Sequence, residues 1–297
     1  MSRTVKSIII LLLFAHLSTL SQNKPSAPVK KSSQGNAPAG KYNKAVVNSM
    51  VNYLKHDTCL NRRFSIAFYV VLDSDYTWHN CPITPCFTYT HIPRSLSMLN
   101  YSFSRICVSF ANCNIDTIPN YNYNDWDTVT TGHIVPPNYY TDSTINVYIV
   151  GAVKTSSYVT GYAMRPPSGK NTIVISKNSM IYDTTELTHL MGHFFGLPDT
   201  FEEIGSPTAT TSLEYVDRSN CYTNGDGFCD TEADVYPQNY NPLLTCYLQI
   251  GAKDGHNEYY RPPTENLMSV FTCRCIFSQE QLNFMARKMI TSRRYLH

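Results

Sequence analysis

The chain has 297 residues, a formal net charge of +2, 15% charged and 12% aromatic residues, and ten cysteines. A charge balance this weak, with no dense basic face to follow a phosphate backbone, argues against nucleic-acid binding. Its 22 tyrosines are expected mostly to pack or to sit half exposed rather than to form an adhesive surface.

Residues 1–22 read as a secretory signal peptide, with Arg3 and Lys6, an apolar run over 8–15, and small residues around Thr19 and Ser21. That run is too short to span a bilayer and no later one exceeds it, so the expectation is a secreted, extracellular chain without a membrane span. In that setting ten cysteines favour disulfides over thiol chemistry. Residues 23–41 are rich in Pro, Ser, Lys, Gly and Ala and read as a flexible leader. Residues 42–297, about 255 in number, suffice for a substantial core.

Val46, Val47, Met50, Val51 and Leu54 recur at helical spacing and predict an amphipathic helix over 44–55. Residues 63–72, dense in Ile, Val, Phe and Tyr, predict a strand stopped by Asp73, Ser74 and Asp75. A loop with Cys81, Pro82, Pro85 and Cys86 follows, then a helix over 95–104 and strands over 106–110, 145–150 and 172–176. Cys81 with Cys86 and Cys107 with Cys113 would be local bridges. Strands interleaved with helices predict an α/β (α+β) fold with a mixed sheet.

Next comes Thr188-His189-Leu190-Met191-Gly192-His193-Phe194-Phe195-Gly196-Leu197-Pro198-Asp199. Histidines four apart on a helix project from one face, so His189 and His193 can offer ring nitrogens to one Zn²⁺. Gly196 tolerates the positive φ that ends a helix sharply, and the turn would aim Asp199 at the same ion as an oxygen ligand. A bare H-x-x-x-H equally describes a core helix with two incidental histidines. Before this helix, Asp183 and Glu186 fit an N-cap with a carboxylate reaching back to it. Glu186 also shares a helix face with His189 and Leu190, which opens a second role as a substitute base.

Further on, Asn224, Asp226 and Asp230 cluster around Gly225 and Gly227, a pattern that suits either Ca²⁺ or an Asx turn with solvated carboxylates. Ser278 with Gln281 forms a capping box that predicts a last helix over 279–292.

Four segments in this order carry a resemblance: H-L-x-x-H-x-x-G-x-x-D from His189, N-G-D-G-F-C-D-T from Asn224, N-L-M-S from Asn266, and F-S-x-x-Q from Phe277. Together they resemble the pappalysin family of metzincin zinc metallopeptidases, over about residues 64–287. The resemblance implies an upper subdomain over about 42–196 with the active-site helix, above a loop-rich, disulfide-bearing lower subdomain over about 197–297. It further implies zinc at His189, His193 and Asp199, calcium near Asp226 and Asp230, and Met268 as an apolar base beneath the metal. Disulfides would join Cys221 to Cys246, and Cys229 to Cys273 or Cys275. A peptide or protein would lie in the cleft.

Three positions depart from the family pattern. Leu190 replaces the Glu that takes a proton from the attacking water, Val270 replaces a Tyr that stabilises the tetrahedral intermediate, and Asp199 replaces a third His. A general base contributes about 10²- to 10⁴-fold and one oxyanion donor about 10²- to 10³-fold, so both losses together predict impaired peptidase activity. The expected function is therefore zinc and/or peptide binding on a peptidase scaffold. The alternatives are an active endopeptidase using Glu186 or a substrate group as its base, and a purely structural domain.

Overall fold

The computed structural model describes residues 59–73, 86–128, 138–155, 158–167, 170–202, 213–235 and 251–296. The expected signal peptide, leader and helix over 44–55 lie outside these residues, as do Cys81 and Cys246.

In chain order the elements are β1 (Arg62–Val71), α1 (His91–Phe103), β2 (Val108–Ile118), β3 (Asp125–Asp127), β4 (Ile145–Val150), β5 (Ala152–Lys154), β6 (Tyr158–Val159), β7 (Gly161–Ala163), β8 (Thr172–Ser176), α2 (Lys177–Tyr182), α3 (Glu186–Phe194) and α4 (Gln279–Ile290). Five strands form one mixed sheet in the order β2-β1-β4-β8-β7. The first four are parallel, and β7 runs antiparallel to β8 at the edge.

Strand side chains alternate between faces, and here both faces are buried, which explains why β1, β4 and β8 read as nearly continuous apolar runs. Phe64, Ile66, Phe68 and Val70 of β1 join Val147, Ile149, Ile173 and Ile175 on the face that packs against Leu99, Leu187, Leu190 and Met191 of α1 and α3. Ala67, Tyr69 and Val71, with Tyr148 and Val174, form the other face. Trp126, Val153 and Val159 from the small sheet β3-β5-β6 cover it. The result is a helix layer, a mixed sheet and a small second sheet.

Two expected disulfides are replaced by others. Cys107 pairs with Cys59, at a Cα separation of 4.8 Å, because the start of β2 lies directly beside the start of β1. Cys113 cannot reach Cys107: an extended strand rises about 3.3 Å per residue, which puts the two far beyond bridging range. Its thiol instead donates to the Ile66 carbonyl at the bulge in β2. Cys221 pairs with Cys229, not with Cys246, because Gly225 and Gly227, both at positive φ, fold the chain back until the two Cα atoms lie 5.2 Å apart. That pairing also removes Cys229 from Cys273 and Cys275; Cys273 is disulfide-bonded, and Cys275 carries an exposed thiol. No helix among the described residues is long and apolar enough to cross a membrane.

Candidate metal centre

Helix α3 is buried along its whole length. It ends in a Schellman motif, in which Gly196 at φ +95° sends its N–H to the His193 carbonyl and Leu197 donates to the Gly192 carbonyl. This reversal carries Asp199 back beneath the helix. His189 and His193 sit one turn apart with ring centroids 4.6 Å from each other, and Asp199 Oδ1 lies 3.5 Å from His189 Nε2 and 3.3 Å from His193 Nε2. Among the described residues, these three are the group of His, Cys, Asp or Glu whose donor atoms converge, all within 4.8 Å of one another.

Hydrogen bonds set the imidazole tautomers. His189 Nδ1 donates to the Leu267 carbonyl at 2.7 Å, and His193 Nδ1 to the Leu197 carbonyl at 2.8 Å. Both Nε2 lone pairs therefore face the gap, an arrangement typical of the outer shell of zinc sites. Asp199 Oδ1 is buried there without a hydrogen-bond donor, since neither facing Nε2 carries a proton. Two atoms about 2.0–2.1 Å from a tetrahedral zinc lie roughly 3.3 Å apart, close to both carboxylate–imidazole spacings. The residues present fit zinc.

Burial raises the Asp199 carboxyl. Asp234, held by Thr200 Oγ1 and the Val235 N–H, is pushed up to about 7, chiefly by burial and further by Asp199. Glu202 lies below its ordinary value despite burial, because the Arg165 guanidinium sits beside it. Burial disfavours the charged forms of Asp199 and Asp234, a cost that a divalent cation would offset.

The turn from Asn266 to Ser269 forms the floor. Asn266 Oδ1 accepts the Met268 N–H, and Met268 is fully buried against Gly192, whose missing Cβ would collide with the Met268 sulfur. Met268 thus lies beneath the helix segment that carries both histidines. Val270 is buried in the following turn and brings no polar group. Leu190 is fully buried in the core, its Cδ1 packed over Gly161 of β7, 2.6 Å from where a Cβ there would sit.

Glu186 departs from the expected capping role. The helix starts at Glu186 with Thr185 as its N-cap, and the Asp183 carboxylate accepts from Thr185 instead of pairing with a returning Glu186. Both Glu186 oxygens are engaged: Oε1 accepts from Thr160 Oγ1 and Oε2 from the Arg274 guanidinium. Fully buried and ion-paired, the carboxylate is poorly disposed to serve as a base.

Asp226 and Asp230 are likewise occupied. Asp226 accepts from the Phe228 N–H and from Thr231 Oγ1, and burial raises its carboxyl well above the usual range. Asp230 accepts the Glu280 N–H at the start of α4, whose Ser278–Gln281 capping box forms as expected. These contacts are those of an Asx turn and a helix cap.

Arg165, Glu202 and Arg274 are the polar residues around the site that spacing alone does not reveal. They join segments far apart in sequence, and no local motif marks them.

No family model matches the chain, and no curated protein matches it. Among solved structures it is similar to a chain of a chaperone-substrate complex, at 12% identity and a TM-score of 0.38, over 81% of this chain and 35% of that one. It is also similar to archaemetzincin from Methanopyrus kandleri, at 14% identity and a TM-score of 0.30, over 46% and 76% of the two chains. A third likeness is to metalloproteinase-II from Bacteroides fragilis, at 12% identity and a TM-score of 0.29, over 53% and 52%. The chain spans about a third of the first of these and about half of the last.

Proposed function

We propose that this protein is an exported, pappalysin-like metallopeptidase homologue that binds zinc at His189, His193 and Asp199 and hydrolyses peptides poorly or not at all. Its role is to hold zinc, a peptide or protein segment, or both. The observation that carries the reading is the orphaned, buried Asp199 Oδ1 facing two Nε2 lone pairs at 3.3 and 3.5 Å.

Bound there, zinc would supply a Lewis acid able to polarise a carbonyl or a water. The surrounding residues give that chemistry little support. Leu190 is aliphatic and cannot accept a proton, Val270 offers no donor to a developing oxyanion, and Glu186 is tied to Arg274 and Thr160. His189, His193 and Asp199 are 1%, 2% and 4% exposed, so the three donors face one another inside the fold. Asp226 and one oxygen of Asp230 are engaged in hydrogen bonds within the fold, so nothing there supports calcium.

The test is metal content together with restoration. The parent should take up one zinc that EDTA removes, and should leave casein and gelatin intact. Leu190→Glu combined with Val270→Tyr should raise peptide hydrolysis by about 10²-fold or more. A parent that already cleaves as fast as the restored variant, or that takes up no zinc, would overturn the reading.

A further inference from the structure

We infer that Arg165 and Glu202 form a positioning pair that holds Asp199 ready for the metal, an inference that rests on the zinc reading above. Neither residue is a ligand, and they reach the site from segments 37 residues apart in sequence.

Arg165 follows β7, immediately after Met164, whose N–H donates to the Thr172 carbonyl and extends the β7–β8 ladder. The residue before a proline is confined to extended conformations, so Pro166 keeps the Arg165 backbone extended past the end of β7. Pro166 itself lies over the end of α3: a Cβ on Gly196 would be 3.7 Å from Pro166 Cδ. The guanidinium is thus delivered to the C-terminal turn of α3, where the last carbonyls favour a cation.

There it forms a two-pronged pair with Glu202, with Nη1 to Oε1 and Nη2 to Oε2 both at 3.1 Å. Glu202 in turn clasps the third ligand: its Oε2 accepts the Asp199 N–H at 3.2 Å, while its own N–H donates to the Asp199 carbonyl at 3.0 Å. The pair therefore fixes the backbone of the Asp199 ligand. Both side chains are mostly buried, at 11% and 20% exposure, so the contact is shielded more than a surface ion pair would be.

What the pair supplies is planar geometry as well as charge. A bidentate fork fixes the angle between β7 and the Asp199 turn, and a lysine ammonium cannot reproduce that fork. Residues that orient metal ligands in this way commonly change metal affinity by about 10- to 100-fold when removed.

The experiment compares the parent with Arg165→Met, Arg165→Lys, Glu202→Gln and Arg165→Met/Glu202→Gln. Zinc affinity is measured by competition with a chelating dye, and ligand geometry by the visible absorption of the Co²⁺-loaded proteins. Melts in EDTA check that each variant is folded. The positioning role predicts zinc binding about 10- to 100-fold weaker in each single variant, a changed cobalt spectrum, no rescue by lysine, and a double variant no worse than the weaker single one. Folded variants that bind zinc as tightly as the parent with the parental cobalt spectrum overturn it, as does full rescue by Arg165→Lys. If Arg165→Met does not fold, Arg165→Lys and Glu202→Gln decide by the same readouts. A parent that binds neither metal refutes the zinc reading itself, an outcome distinct from equal binding by parent and variants.

Discussion

Arg274 and Glu186 form an ion pair in which both side chains are fully buried, across the first turn of α3. The same guanidinium donates to Asp183, to Thr185 Oγ1 and to the Ser269 carbonyl, so it ties the turn that carries Met268 to the start of the helix that carries both histidines. Removing one partner of a buried pair leaves a desolvated charge, which typically costs about 3–5 kcal/mol, whereas replacing both with apolar groups can be neutral. Glu186→Gln should therefore lower the urea-unfolding free energy by about 3 kcal/mol, since Asp183 still partly answers Arg274. Glu186→Leu with Arg274→Met should recover much of that loss. A stable Glu186→Gln protein would return Glu186 to consideration as a base.

Gly192 and Met268 set how closely the ligand helix approaches its floor. A methyl at 192 would meet the Met268 sulfur and, at 3.3 Å, the Phe277 ring. Overpacking of this kind costs about 1–3 kcal/mol. Gly192→Ala is thus expected to destabilise the protein despite the better helix propensity of alanine, and Gly192→Ala with Met268→Ala should be less destabilised than the sum of the two single changes. Additive urea midpoints would mean that helix and floor are not in contact.

Much of the architecture was legible where local pattern and tertiary placement agree. The apolar runs that became β1, β4 and β8 are buried on both faces. The histidine spacing and Gly196 describe a helix and its turn by geometry alone. Strand β2 was harder, because its second half, Asn112 to Asp116, is exposed at the sheet edge and has no apolar alternation to announce it. Three-residue β7 owes its conformation to pairing with β8 and carries almost no intrinsic signal. Arg165 and Glu202 are 37 residues apart, and Arg274 lies 88 residues from Glu186; such charges find each other only through the fold. The disulfides follow the same logic, because parallel pairing of β1 with β2 brings Cys59 beside Cys107.

Zinc should stabilise the folded chain by mass action. A ligand at 100 times its dissociation constant contributes about 2.7 kcal/mol, which for a domain of this size raises the melting temperature by roughly 5–10 °C. His193→Ala and Asp199→Ala should abolish that shift while leaving the EDTA-treated melt cooperative. A shift of equal size in both variants would place the metal elsewhere in the molecule.

Asp234 gives the metal-free protein a specific pH dependence. Its carboxyl titrates near 7 in the folded chain against an ordinary 3.8, so between those values the folded state holds a proton that the unfolded state has released. Stability from this group is complete below about pH 4 and is lost as pH rises through 7, at up to about 1.4 kcal/mol per pH unit. Asp234→Asn keeps an oxygen for the Val235 N–H and a polar group beside Thr200 but cannot ionise. In EDTA, the unfolding free energy of the parent minus that of Asp234→Asn should fall by several kcal/mol from pH 4 to pH 8. A difference that stays flat, or rises, over that range would mean that Asp234 is ionised in the folded chain throughout, and that the carboxylates around Asp199 repel each other less than their burial implies.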